Sequence, residues 1–133
     1  MAYEGKVIDR RGSIETNNTL SDNTDIEHEY KRSIYATTLF TEFMNRKLNI
    51  IDCPGSDDFC GNLYSAFKVG DVGVLVMNAQ NGWQVGDELQ SRYARILNKP
   101  LVGVINQLDG EKASYENMME GIRAASPVKP IIV

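Results

Sequence analysis

Leu48-Asn49-Ile50-Ile51-Asp52-Cys53-Pro54-Gly55 is the stretch on which the reading of this chain turns: a short apolar run stops on an aspartate and passes at once into a Pro-Gly turn. The run reads as a strand, and Pro-Gly ends it. A carboxylate at the carboxyl end of a strand can hold Mg²⁺ through its water shell, because Mg²⁺ keeps several waters and takes few protein carboxylates. Gly55 lets the backbone come close to a phosphate and present an N–H to it. By itself, Asp-x-Pro-Gly is also a common turn sequence.

Working outward, residues 39–43 alternate apolar and polar as a half-buried edge strand does, and Asn45-Arg46-Lys47 reads as the tight turn that leads into 48–51. Downstream, Leu63, Ala66 and Phe67 sit at helical spacing. Residues 72–77 form a continuous β-branched run between Gly70 and Asn78, the pattern of a strand buried on both faces. Val85, Leu89, Tyr93 and Ile96 give an amphipathic helix that must stop before Pro100. Residues 101–105 read as another buried strand, Tyr115, Met118, Met119 and Ile122 as a further helix, and 131–133 as the start of a last strand. This alternation predicts an α/β fold, doubly wound around a mainly parallel sheet. Residues 1–37 are polar and lack apolar periodicity, so they are expected to be a solvated, mobile segment ahead of an α/β core spanning 38–133.

Doubly wound sheets take ligands at the carboxyl ends of their strands, which directs attention to the loops opening at Asp52, Asn78 and Asn106. The last reads Asn106-Gln107-Leu108-Asp109. An aspartate there can accept both the ring N–H and the exocyclic NH₂ of guanine, a bidentate match that adenine does not offer, while Asn106 can bond the base edge or brace the loop. Each loop alone is compatible with a simple turn. Both together, each after its own strand, in this order and separated by two helical patterns and one buried strand, give the layout of P-loop GTPases.

Composition agrees with a single soluble domain. The chain has 133 residues, 42% of them hydrophobic and 24% charged, with a net charge of −4. The acidic balance argues against an autonomous nucleic-acid binder. Cys53 and Cys60 are too few for a disulfide framework, and the single histidine, His28, stands at no metal-ligand spacing from them. With no apolar leader and no long apolar run, a cytoplasmic protein without membrane contact is expected.

The text around the motifs resembles one family closely. Residues 48–59, ending Asp52-Cys53-Pro54-Gly55-Ser56-Asp57-Asp58-Phe59, are similar to the stretch of elongation factor G in which Asn-Ile-Ile-Asp-Thr-Pro-Gly-His precedes Val-Asp-Phe. Ser65-Ala66-Phe67-Lys68-Val69, Asn78-Ala79-Gln80-Asn81-Gly82 and Asn106-Gln107-Leu108-Asp109 continue the likeness, and residues 27–37 resemble its switch I. The resemblance runs from about Gly5 to Val133. It implies part of a translational GTPase that binds GTP or GDP with Mg²⁺, works on the ribosome and promotes translocation. The tetracycline-resistance ribosome-protection factors share these motifs and are the alternative. By the resemblance, Asp52 (through water to Mg²⁺), Pro54 and Gly55 face metal and phosphate, and Asn106, Gln107 and Asp109 face guanine. Arg32, Ser33, Ile34 and Tyr35 occupy switch I.

Departures from the family fall at the chemistry. Ser56 stands where a histidine orients the hydrolytic water, and a serine carries no charge near neutral pH, so weakened hydrolysis is expected, or a GTP-gated ribosome-binding module with little turnover. Tyr35 falls where a threonine ligates Mg²⁺, with Ser33 the nearest other hydroxyl. Gln107 replaces a lysine, keeping the aliphatic stem but not the charge, and Cys53 fills an interior threonine position. No Gly-x-x-x-x-Gly-Lys-[Ser/Thr] loop occurs in the 133 residues, so the chain alone is expected to bind nucleotide weakly or not at all. The resemblance places that loop and its central strand before Met1. The gap in the sheet is then expected to be filled by the neighbouring strands closing up, by residues 1–9, or by a second chain lending a strand in a homo-oligomer.

Overall fold

The computed structural model describes residues 12–13, 19–21, 23–56, 60–127 and 129–132. Two compact units make up the chain, Met1–Val69 and Gly70–Val133.

In the first unit, a six-residue helix, α1 (Asp25–Tyr30), precedes a hairpin of β1 (Thr37–Phe43) and β2 (Arg46–Asp52), and α2 (Cys60–Val69) follows. β1 and β2 pair antiparallel from Thr37↔Asp52 to Phe43↔Arg46. The turn between them is Met44-Asn45, one residue earlier than the sequence suggests. Both residues take positive φ, 49° and 58°, the geometry that matches the right-handed twist of a two-residue hairpin. Alternation along β1 buries Thr41 and half-buries Thr37 and Leu39, leaving Phe40 and Phe43 exposed.

The second unit is β3 (Gly73–Asn78), α3 (Val85–Ile96), β4 (Leu101–Asn106) and α4 (Tyr115–Ala125). β3 and β4 pair in parallel, from Gly73↔Leu101 to Asn78↔Asn106, joined by the α3 crossover. Helix α3 opens on a capping box, with the Gln84 N–H donating to Asp87 Oδ2 at 2.9 Å, and ends before Pro100. Ser114 caps α4 by accepting from the Asn117 N–H at 3.2 Å. The core is Leu75, Met77 and the fully buried Met118, with Trp83, Ile105 and Ile122 packed against them. Gly121 gives Trp83 its seat, because a Cβ there would come to 2.5 Å from Trp83 Cβ.

The elements alternate as an α/β fold with a parallel strand pair, as the sequence predicts, but three details differ. First, the described strands form two two-stranded sheets, β1-β2 and β3-β4, rather than one sheet; residues 1–9, one of the candidates for filling the gap, lie outside the described residues. Secondly, β3 and β4 are not buried on both faces. Core contacts from α4 and Trp83 cover only the Leu75 and Met77 side of β3, and Val74, Val76, Val102 and Val104 stay about half exposed. An unbroken apolar run signals that both strand faces are apolar, not that both are covered within the unit. Thirdly, Ile131 and Ile132 form no strand and are 90% and 65% exposed. α1 is an addition that apolar periodicity does not signal.

Candidate functional site

The first candidate loop starts where β2 ends. Asp52 is exposed at the strand terminus, Cys53 is half-buried, Pro54 is buried and Gly55 is exposed again. Nothing lies within 4 Å of where a Gly55 Cβ would be, so the backbone here faces open space and a ligand oxyanion can come close. Ser56 follows, half-buried, and residues 57–59 are outside the described set. The Cys53 thiol points back to the Ile51 carbonyl at 3.8 Å. Burial pushes its pKa up, and the neighbouring Asp52 carboxylate pushes it in the same direction.

In the same unit, the segment 31–35 is held by a residue that motif reading does not single out. Glu27 is only 2% exposed, and both carboxylate oxygens are fully engaged. Oε2 accepts from the Asn23 and Thr24 N–H groups, each at 3.1 Å, and from Thr24 Oγ1 at 2.8 Å. Oε1 accepts from the Ile34 N–H at 3.0 Å and the Tyr35 N–H at 3.1 Å. These bonds, led by that from Ile34, hold the Glu27 carboxyl at about 2, against an ordinary 4.5, although burial opposes them. Lys31 caps α1 in the left-handed region at φ 51°, and the chain then doubles back through Arg32 and Ser33. Asn62 of α2 donates its side-chain N–H to the Ile34 carbonyl at 3.4 Å. The Tyr35 side chain is 54% exposed. Glu27 was legible in principle, since Thr24-Asp25-Ile26-Glu27 fits the capping-box pattern.

The second candidate loop belongs to the other unit. Asn78 and Asn106 are partners in the parallel register, so the loops after β3 and β4 leave the sheet side by side at its carboxyl end. The Ala79 N–H donates to the Asn106 carbonyl at 3.0 Å, the Ser114 N–H to the Ala79 carbonyl at 3.2 Å and the Gly110 N–H to the Gln107 carbonyl at 3.2 Å. Asn106, Gln107 and Asp109 are all exposed, and Gln107 adopts a positive φ of 56°. Between the strand ends lies a cleft of about 90 Å³ lined by Val76, Met77, Asn78, Asn106 and Gln107. Pockets that enclose a ligand run to roughly 300–1,000 Å³, so a base would rest against this rim rather than inside it. A larger hollow, about 430 Å³, runs along one face of α4 and includes none of the loop residues.

The candidate residues thus fall into two groups. Asp52, Pro54, Gly55, Ser56 and Arg32, Ser33, Ile34, Tyr35 are in the first unit; Asn106, Gln107 and Asp109 are in the second. Among the described residues no cluster of three metal-ligating side chains occurs, and no helix is long and apolar enough to cross a membrane.

A parallel β-α-β unit carrying an Asn-Gln-Leu-Asp loop at its carboxyl rim, with a strand ending in Asp-Cys-Pro-Gly, defines a P-loop GTPase-type α/β protein. A family model described as the elongation factor Tu GTP binding domain matches residues 1–126, and the chain belongs to that family of GTP-binding domains of translational GTPases. It is 30% identical over 135 residues to the tetracycline resistance protein TetM from transposon Tn1545 of Enterococcus faecalis, covering 97% of this chain and 21% of that protein. It is 28% identical over 123 residues to TetW of Butyrivibrio fibrisolvens, covering 92% and 19%. The crystal structure of a Thermus thermophilus protein aligns with a TM-score of 0.86 at 26% identity, over 92% of this chain and 18% of that one. The translation elongation factor SelB of Methanococcus maripaludis, solved with the GTP analogue GPPNHP, aligns at 0.60 and 21% identity over 69% and 20%, a likeness of fold alone. The chain spans about a fifth of the length of the curated relatives it matches.

Proposed function

We propose that this chain supplies the guanine-reading loop and the metal-facing loop of a translational GTPase that works in the cytoplasm on the ribosome. The observation that carries the reading is the exit of the Asn106–Asp109 loop beside the 78–82 loop at the carboxyl end of a parallel strand pair, in a chain matched by a GTP-binding family model over residues 1–126. In this reading Asp109 accepts the two N–H groups of guanine, Asn106 braces the loop and Gln107 lays its stem along the base. Asp52 would hold Mg²⁺ through its water shell, and the open backbone at Gly55 would give its N–H to the terminal phosphate. Bound Mg²⁺ would neutralise charge building on the phosphate oxygens.

Ser56 can position a water by hydrogen bonding but cannot stabilise it as a cation would, so slow hydrolysis follows. The Ile34 and Tyr35 amides are already committed to Glu27, which supports a switch segment held by the protein itself. Ser56 favours a GTP-gated ribosome binder with low turnover over a fast GTPase.

Elongation factor G-like translocation is the main reading of the motifs. Ribosome protection is the second, and the similarity to TetM and TetW favours it. Translation in vitro with the complete natural protein separates them. Restored synthesis in the presence of tetracycline, without any requirement for the protein in its absence, supports protection; peptide-bond cycles that stall without it support translocation. Single-turnover GTP hydrolysis on ribosomes at the rate of a typical translational GTPase would overturn the low-turnover reading.

A further inference from the structure

Gln80 lies in none of the motifs that assign a role, yet its side chain meets the base-reading loop at two points, Gln107 and Gly110. Its side-chain Nε2 donates to Gln107 Oε1 at 3.1 Å, across 27 positions of sequence. Its own backbone is fixed where β3 ends, the Gln80 N–H donating to Asn78 Oδ1 at 2.9 Å. Its side chain rests on the bare Cα of Gly110, where an added Cβ would collide with Gln80 Cδ and come to 2.6 Å from Nε2. Gln107, in turn, holds a left-handed backbone that is costly for any residue with a Cβ. Two bonds secure it: the Gly110 N–H on its carbonyl and the Gln80 amide on its side chain.

We propose that Gln80 is a positioning residue for the purine: by pinning the Gln107 amide it holds the methylene stem of Gln107 as a fixed cover over one face of the base. The inference rests on the reading of residues 106–109 as the guanine loop. A lysine at 107 would be oriented by its charge; a neutral glutamine has no such guide, and a second amide at hydrogen-bond distance provides one. The division of labour has a consequence. Stem packing on a ring face is indifferent to what the base carries on its edge, whereas Asp109 reads that edge. Loss of the Gln80 contact therefore weakens guanosine and inosine diphosphates by the same factor, because inosine differs only by the exocyclic NH₂.

The test is equilibrium titration of GDP and IDP on the complete natural protein and on its Gln80→Ala, Gly110→Ala, Gln107→Ala and Gln80→Ala/Gln107→Ala variants. Gly110 has no positive φ, and the three atoms nearest an added Cβ all belong to the flexible Gln80 side chain, so alanine there reaches the same contact by a second route. Gln80→Ala and Gly110→Ala are each expected to weaken both nucleotides about 3- to 10-fold, the range of one neutral hydrogen bond, with the GDP/IDP ratio unchanged. In the Gln107→Ala background, removing Gln80 is expected to cost nothing further. The proposal is overturned if Gln80→Ala binds within twofold of the unsubstituted protein, if its loss persists in full without Gln107, or if the GDP/IDP ratio shifts as much as the affinity. A natural protein that fails to bind GDP at all overturns the guanine-loop reading itself, a result distinct from any of these.

Discussion

Replacing Glu27 by glutamine probes a buried side chain that accepts five hydrogen bonds. Its two oxygens take five donors, three on Oε2 and two on Oε1. A glutamine of the same shape must turn its NH₂ toward one of those sets, whichever way the amide is flipped, and set donor against donor. Setting a donor against one set of these bonds removes hydrogen bonds to a charged group, each contributing about 1.5–3 kcal/mol, and the carboxyl held at about 2 rather than 4.5 points the same way. The carboxylate is the bonded form, so this stabilisation is complete above pH 4.5 and is lost as pH falls from there through about 2. The direct assay is amide hydrogen exchange at Ile34 and Tyr35, where opening frees the donors themselves. Glu27→Gln is expected to speed exchange at both by about a hundredfold at neutral pH, and to flatten the acid limb of a urea-denaturation series between pH 4.5 and 2. Exchange within twofold of the unsubstituted chain, together with an unchanged acid limb, would refute the reasoning.

Other expectations follow from packing and association. Met118 is fully buried at the centre of the second unit, so Met118→Ala should destabilise that unit by about 2–5 kcal/mol in chemical denaturation. Gly121→Ala gains about 1 kcal/mol of helix propensity, but its methyl would come to 2.5 Å from Trp83 Cβ, an atom with no freedom to move away; net destabilisation of about 1–3 kcal/mol and an altered Trp83 fluorescence are expected. Strand lending between chains requires a concentration-dependent mass in size-exclusion with light scattering, and a clean monomer at high concentration would exclude it.

Much of the fold was readable because its elements announce themselves by period and by stop signals. The spacing of Val85, Leu89, Tyr93 and Ile96, with a stop before Pro100, marks α3, and the apolar runs before Asn78 and Asn106 mark β3 and β4 within one or two positions. α1 escaped because six residues with one buried side chain, a glutamate, carry no apolar period; its signal lay in the Thr24–Glu27 capping box. The exposure of Val74 and Val76 was hidden because composition reports what a face could bury, not what covers it. In the site, the Asp52 and Asn106 loops were visible as motifs, whereas Gln80 becomes visible only once the Asn78↔Asn106 register brings two distant loops together.

The most direct measurement is base selectivity at Asp109. In the complete natural protein, Asp109→Asn loses one of two acceptors for the guanine edge and gains a donor suited to the C2 carbonyl of xanthine. Titration with GDP and xanthosine diphosphate is expected to show GDP weakened about 10- to 100-fold and the xanthine nucleotide strengthened. Unchanged affinity for both would mean that residues 106–109 do not read a base.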